Sequence, residues 1–392
     1  MLDLRQLRDQ LADFEEHQTE QQDRRGAQRD RAEVLLAVCQ RHWQAVQEAV
    51  ATAQPRRLVA EMREPPAATH EPPERPSPIT VVATDGSQIN PDRHVEPSFF
   101  LLNVSRVAFQ YGTTEDALLD ATPSLHFREQ LAAQFDAPLD TIPSELVSAL
   151  RDDRELSRLL DGATTARVPG RPLVALADGT LIRWMIRGMD NEILEDELIA
   201  RYTEHLEGFR DEGLALASYV SLPASTEVVN LLRFVGGDLG AAPPDFPEDP
   251  PGTPRLDGLL DRHVLATVLG PGERSAVFGS ASHIQGEYPT GTDISFFYLK
   301  VSGAGGGELG RVEVPRWVAD DAALLDRVHA TMLRECRKGE GYPLALSEAH
   351  ERAVVRASER EAFFRLMERR LRRAGLNPTG SRKRRSKQRP RV

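Results

Sequence analysis

The chain has 392 residues, 40% of them hydrophobic, and a formal net charge of −11 from 60 acidic and 49 basic side chains. That length supports a large core in two or three structural units, while the acidic balance excludes a protein that grips nucleic acid by broad surface charge. Cys39 and Cys336, far apart and without ligand spacing, exclude a disulfide scaffold or a cysteine metal cage.

Residues 1 to 62 read as an N-terminal helical region. Leu4, Leu7, Leu11 and Phe14 recur at 3–4 spacing, and so do Cys39, Trp43, Val46 and Val50. The polar stretch from Gln21 to Gly26 either breaks this helix or lies exposed. Two narrow apolar stripes suit a helical hairpin or a partner helix. Residues 63–78, with Pro65, Pro66, Pro72, Pro73, Pro76 and Pro78, read as an extended linker. The strand-rich core then runs over 79–373, with strands expected near 79–84, 99–109, 173–177, 215–221, 274–278, 293–301 and 311–316. Helices are expected over about 126–161, 189–212, 225–235, 320–337 and 344–373. A proline-rich insertion occupies 242–254, and the glycine run 303–307 lacks the lysine of a phosphate-binding loop. The tail 374–392 is basic through Arg382, Lys383, Arg384, Arg385, Lys387, Arg389 and Arg391, and is expected to be disordered. This order of elements predicts a mixed α/β core with helical additions at both ends. No run approaches the ~20 apolar residues needed to cross a bilayer, and Met1–Arg5 lacks the form of a secretion signal. A soluble, cytoplasmic protein is expected, with no membrane partner.

The chemistry concentrates in a repeated device. Ile79-Thr80-Val81-Val82-Ala83-Thr84 runs into Asp85-Gly86-Ser87, and Leu173-Val174-Ala175-Leu176-Ala177 runs into Asp178-Gly179-Thr180. A short β-branched apolar run is a buried strand, and glycine after it lets the backbone turn. Each aspartate is left at the carboxyl end of a core strand, where open sheets place their sites. Carboxylates converging from separate elements suit magnesium or manganese, which take oxygen donors. Two such ions ~3.5–4 Å apart activate water and stabilise the leaving oxygen in phosphodiester cleavage. A third acid is expected from the helix before the second strand, where Glu145, Asp152, Asp153 and Glu155 are candidates. His350 sits a few residues after Pro343, within the early turns of a helix, where a histidine suits contact with a phosphate, a water or a leaving group. Arg183 and Arg352 are candidate contacts to a nucleic-acid backbone.

Thr84-Asp85-Gly86-Ser87, Leu102-Asn103-Val104 and Leu173 through Leu181 together resemble the NurA nucleases. So do Gly272 through Phe278, Phe296-Phe297-Tyr298-Leu299, and Gly341-Tyr342-Pro343 through Ala349-His350. The likeness runs in order over about residues 80 to 370. It implies an RNase H-like core, a ring-like homodimer, and DNA cutting with manganese (magnesium being the alternative). It further implies single-strand endonuclease and 5′-to-3′ exonuclease activity in double-strand-break end processing with a HerA-type hexameric ATPase. By the same resemblance Asp85, Glu155 and Asp178 are metal ligands, while His350 and Tyr298 are accessory catalytic residues. The competing reading is a catalytically inactive DNA-end clamp or ATPase-docking factor, and a third is a metal-dependent phosphatase.

Overall fold

The computed structural model describes residues 4–74, 76–92, 97–136, 139–189, 191–239, 253–301 and 308–376. The glycine run, most of the proline-rich insertion and the basic tail beyond residue 376 lie outside the described residues. In chain order the first strands are β1 (Glu61–Met62), β2 (Thr69–His70), β3 (Ile79–Ala83), β4 (Gly86–Ile89), β5 (Phe99–Tyr111) and β6 (Leu118–Phe127). They are followed by β7 (Leu173–Asp178), β8 (Ala215–Val220), β9 (Arg274–Ser275), β10 (Phe278–Gly279), β11 (Ile294–Val301) and β12 (Glu308–Pro315). The helices begin with α1 (Arg8–Arg41), α2 (Trp43–Ala53), α3 (Arg128–Gln134), α4 (Ser144–Thr165), α5 (Glu192–Asp211) and α6 (Glu227–Val235). After them come α7 (Asp261–Val268), α8 (Arg316–Ala319), α9 (Ala322–Lys338), α10 (Leu344–Ala353) and α11 (Ala357–Arg373). Among the described residues no helix is long and apolar enough to cross a membrane.

The chain divides into two compact units. The first gathers Met1–Pro72, Val220–Ser282 and Ile294–Val312. Its strands run in the order β1-β10-β11-β12, with β9 also pairing to β11 and β2 to β9. Helix α1 passes through Gly26 without a break, although glycine costs ~1 kcal/mol there relative to alanine. The two stripes of the N-terminal region have different fates. Leu11 and Phe14 stay exposed, whereas Cys39 and Val46 join Leu35, Leu36 and residues of α6 and α7 in one apolar cluster. The helix therefore buries its second stripe within its own unit. The expected linker is also partly structured: Thr69 opposes Ser275 and His70 opposes Arg274, while Met62, at the end of the expected helical region, is in a strand opposite Phe278.

The second unit gathers Pro73–Tyr219, His283–Asp293 and Glu313–Val392. Its sheet is built on β5, which pairs antiparallel with β6 along one edge and with β3 and then β4 along the other. Strand β3 runs parallel to β7, and β7 parallel to β8. Helix α4 connects β6 to β7, and α5 connects β7 to β8. The antiparallel strands β3, β4, β5 and β6, continuing into the parallel β7 and β8 through helical crossovers, form the RNase H-like core. All five residues of β3 and the first five of β7 are buried, which is why both read as unbroken apolar runs and not as alternating ones. Edge strand β6 had no such signature. Most of its residues are exposed, and Pro123 within it is tolerated because an edge strand can spare an N–H.

Candidate active site

The parallel register sets the site. Ala83 of β3 pairs with Leu176 of β7, so Asp85 and Asp178 stand two residues further along neighbouring strands, at the same level. Adjacent strands lie ~4.8 Å apart, close enough for both carboxylates to face one ligand. Gly179 (φ +72°) takes the chain out of β7 in the left-handed region that favours glycine. Gly86 does a different job. A Cβ there would run into Glu155 Oε1 and would lie 2.9 Å from Arg151 Cγ, so its hydrogen is what lets α4 bring Glu155 against the strand.

These three acids, with Asp152, Arg151, Arg183 and His350, line a cleft of about 520 Å³. Each acid has its own partner. Asp85 Oδ2 lies 2.8 Å from His350 Nδ1, and its Oδ1 accepts from the Gly86 amide at 2.8 Å. Asp178 Oδ1 accepts from the Tyr342 hydroxyl at 2.6 Å. Glu155 Oε1 pairs with Arg151 Nε at 3.0 Å. Asp152 is held by two cations, Arg151 at 3.0 Å and Arg183 at 3.1 Å. Burial, Asp152 and the negative Asp85 together push Glu155 up to about 8, against the pull of Arg151. Burial and the Asp85 charge also raise Asp178, although the Tyr342 hydroxyl works the other way. The common thread is like charge crowded into a dry cleft.

The position of His350 depends on a clamp that sequence reading missed. The Ser105 hydroxyl, fully buried on β5, donates to the Ala349 carbonyl at 2.7 Å and lies 3.3 Å from the Asp85 amide. Asn103 Nδ2 donates to the Ala353 carbonyl at 2.9 Å, and Ser87 Oγ donates to the same oxygen. That carbonyl ends α10 and has no donor within the helix. One strand thus fixes both the backbone of Asp85 and the last turn of the helix that carries His350. The ring itself is 62% exposed.

The expected site residues separate cleanly by position. Asp85, Glu155, Asp178 and His350 line one cleft, and so do the rival candidates Glu145 and Asp152. Asp153 instead bonds His205 at 3.0 Å. Of the expected arginines, Arg183 lines the cleft, and Arg352 pairs with Glu348 at 3.4 Å. Tyr298 is corrected. It lies in the first unit, fully buried, with its hydroxyl donating to Asp261 Oδ2 at 2.8 Å, where it supports a structural acid. The tyrosine in the cleft's chemistry is Tyr342, whose signal was its place beside Pro343 at the start of the His350 helix.

Asp261 also accepts from the Val229 amide at 2.8 Å, near the start of α6, and burial raises it from 3.8 to about 6. A carboxyl raised in the fold favours folding most below its ordinary value and loses that contribution as pH climbs through 6. In urea titrations Asp261→Asn should therefore gain on the wild type by about 2 kcal/mol between pH ~4 and ~7. A pH-independent difference would show that Asp261 is ionised throughout.

A divalent cation fits the donor chemistry of the cleft, which offers hard carboxylate oxygens and no thiolate. The raised Glu155 and Asp178 are groups whose ionised forms lack sufficient positive charge nearby. No group of three or more His, Cys, Asp or Glu is gathered into a ready metal cage among the described residues. Binding an ion here therefore means exchanging His350, Tyr342 or Arg151 for the ion as the carboxylates' partner.

The family model for the NurA domain matches residues 79–355, well over half of the chain. The chain belongs to the NurA family. Its fold is similar to that of the NurA nuclease from Sulfolobus solfataricus, with a TM-score of 0.50 and 16% identity over 78% of this chain and 88% of that one. Two other crystal structures, of NurA and of NurA with manganese, match at 12% identity with TM-scores of 0.37 and 0.35. Those alignments cover 76% and 74% of this chain, and 90% and 89% of theirs. No curated protein sequence matches this chain. The matched NurA segment contains every residue of the carboxylate cleft.

Proposed function

We propose that this protein is a metal-dependent deoxyribonuclease, cutting single strands internally and degrading from 5′ ends. The supporting observation is the level placement of Asp85 and Asp178 on parallel strands, with Glu155 reaching the same cleft from α4. Asp85, Glu155 and Asp178 would hold manganese or magnesium, which when bound neutralises phosphate charge and acidifies the attacking water. His350 has one ring nitrogen on Asp85. If that nitrogen carries the proton, the other is free to accept one from water or to return it to the leaving oxygen. Tyr342 keeps Asp178 oriented, and its phenol stays protonated because burial and that carboxylate raise it. Arg183 remains charged, since Asp152, Tyr202, Glu155 and Tyr288 together more than offset the effect of its burial, and stands ready for a phosphate oxygen. In the cell we assign it, as a homodimer, to double-strand-break end processing beside a HerA-type hexameric ATPase.

The absence of a ready cage among the described residues favours one competitor, an inactive end clamp that docks the ATPase without cutting. Purified protein with manganese and labelled single-stranded DNA decides between them. Cleavage that stops on chelation supports the nuclease. No cleavage with or without the motor leaves the clamp, and preferential turnover of a phosphomonoester would make it a phosphatase.

A further inference from the structure

We propose that the turn after Arg183, at the lip of the carboxylate cleft, is a stacking platform for an unpaired nucleobase, with Trp184 as its face. The inference rests on the nuclease reading and specifies its substrate as single-stranded. Trp184 is 60% exposed and Met185 58%, in a short 3-10 turn spanning Trp184–Ile186. Leu181, Ile182 and Ile186 around them are buried. Two large apolar side chains are thus held in water between the buried Ile182 and Ile186.

That turn is anchored at both ends. Leu181's carbonyl accepts from the hydroxyls of Tyr202 at 2.9 Å and Tyr288 at 3.1 Å, and the Arg183 amide donates to Tyr288 at 3.0 Å. Beyond it, Glu195 receives the amides of Gly188 and Met189 at 2.7 and 2.8 Å, while Arg187 pairs with Glu287 and Asp196. The backbone that carries the indole is thus already fixed when a flat ligand settles on it. The chain neighbours of Trp184, Arg183 and Met185, line the same cleft as Asp85, Glu155 and Asp178, so the exposed indole stands beside that cleft and not within it.

The occupant follows from chemistry. Every base has a π face, and stacking on an aromatic side chain contributes ~1–3 kcal/mol per base whatever the sequence, adding to any charge contact with the backbone. A chain of net charge −11 needs such a grip. Bases inside a duplex are already stacked, so only a single strand, or a frayed end, can use it.

The test measures binding of a labelled oligodeoxynucleotide in chelator, where nothing is cut, beside an abasic oligonucleotide of equal length. Trp184→Ala should weaken the intact strand about 10-fold, Trp184→Phe should retain most of the affinity, and the abasic strand should bind wild type and both variants alike. Equal affinity of Trp184→Ala and wild type for the intact strand overturns the platform and leaves the tip as a protein contact. Equal loss on intact and abasic strands also overturns it. The nuclease reading is judged separately by adding manganese. Wild type that discriminates intact from abasic DNA but never cuts keeps the platform and ends the nuclease, and the reverse pattern does the opposite.

Discussion

Asp178→Asn should lower manganese-dependent DNA cleavage at least about 10³-fold while leaving the metal-free protein as stable as wild type or more so. The first half follows from the charge an ion brings to a transferring phosphoryl group. Several kcal/mol of stabilisation are involved, and each ~1.4 kcal/mol is tenfold in rate. An amide keeps the shape and can still accept the Tyr342 hydroxyl, but it contributes no negative charge to the ion. The second half follows from the direction of the Asp178 shift. Burial and the Asp85 charge raise this carboxyl in the fold, so its contribution to stability is largest at acid pH and is lost as pH rises through the folded value. Asparagine removes that loss at neutral pH. The check is a pair of melts, in chelator and in manganese, beside the cleavage assay. Wild type should gain melting temperature with manganese, because an ion that binds only the native state stabilises it, and the variant should gain less. Full cleavage by the variant would remove Asp178 from the mechanism. A variant that unfolds in chelator would show that its charge is structural.

The trade between stability and activity explains what could be read in the sequence and what could not. Strands β3 and β7 were legible because burial on both faces writes itself as an uninterrupted apolar run, and the aspartates follow them directly. The family likeness lay in the same segments. Glu155 was harder, since Glu145, Asp152, Asp153 and Glu155 share one helix and only packing distinguishes them. Asp153 turns to His205, and Asp152 is already neutralised by two arginines, whereas Glu155 has one cation and the crowding of Asp85. Tyr298 sits in an apolar strand and Tyr342 beside Pro343 at a helix start, but which of them meets a cleft carboxylate is decided by pairings between distant segments. Ser105 carried no signal at all. A lone serine in a strand is ordinary until the carbonyl of a helix more than two hundred residues later arrives against it. Nothing in the sequence singled out Trp184. Only its exposure separates it from Ile182 and Ile186.

Gly86→Ala should depress cleavage about 100-fold with little loss of stability, and it should do so through Glu155. Nothing about the backbone forbids alanine, since Gly86 is absent from the positive-φ residues and begins strand β4. Space forbids it. The added methyl meets the Glu155 carboxylate, the far end of a side chain that can swing away at small conformational cost, and crowds the Arg151 stem, which must shift with it. Glu155 would then leave the level of Asp85 and Asp178, and a misplacement near 1 Å is enough for a ~10²-fold loss in a site that works by positioning. Because the damage is relayed, it must vanish where Glu155 is already gone. In a double-mutant cycle, Gly86→Ala on a Glu155→Ala background should cost nothing further, while the single variants should each be impaired. Additive losses in that cycle would mean that Gly86 serves the strand and not the carboxylate, and the third ligand would then have to be sought at Asp152.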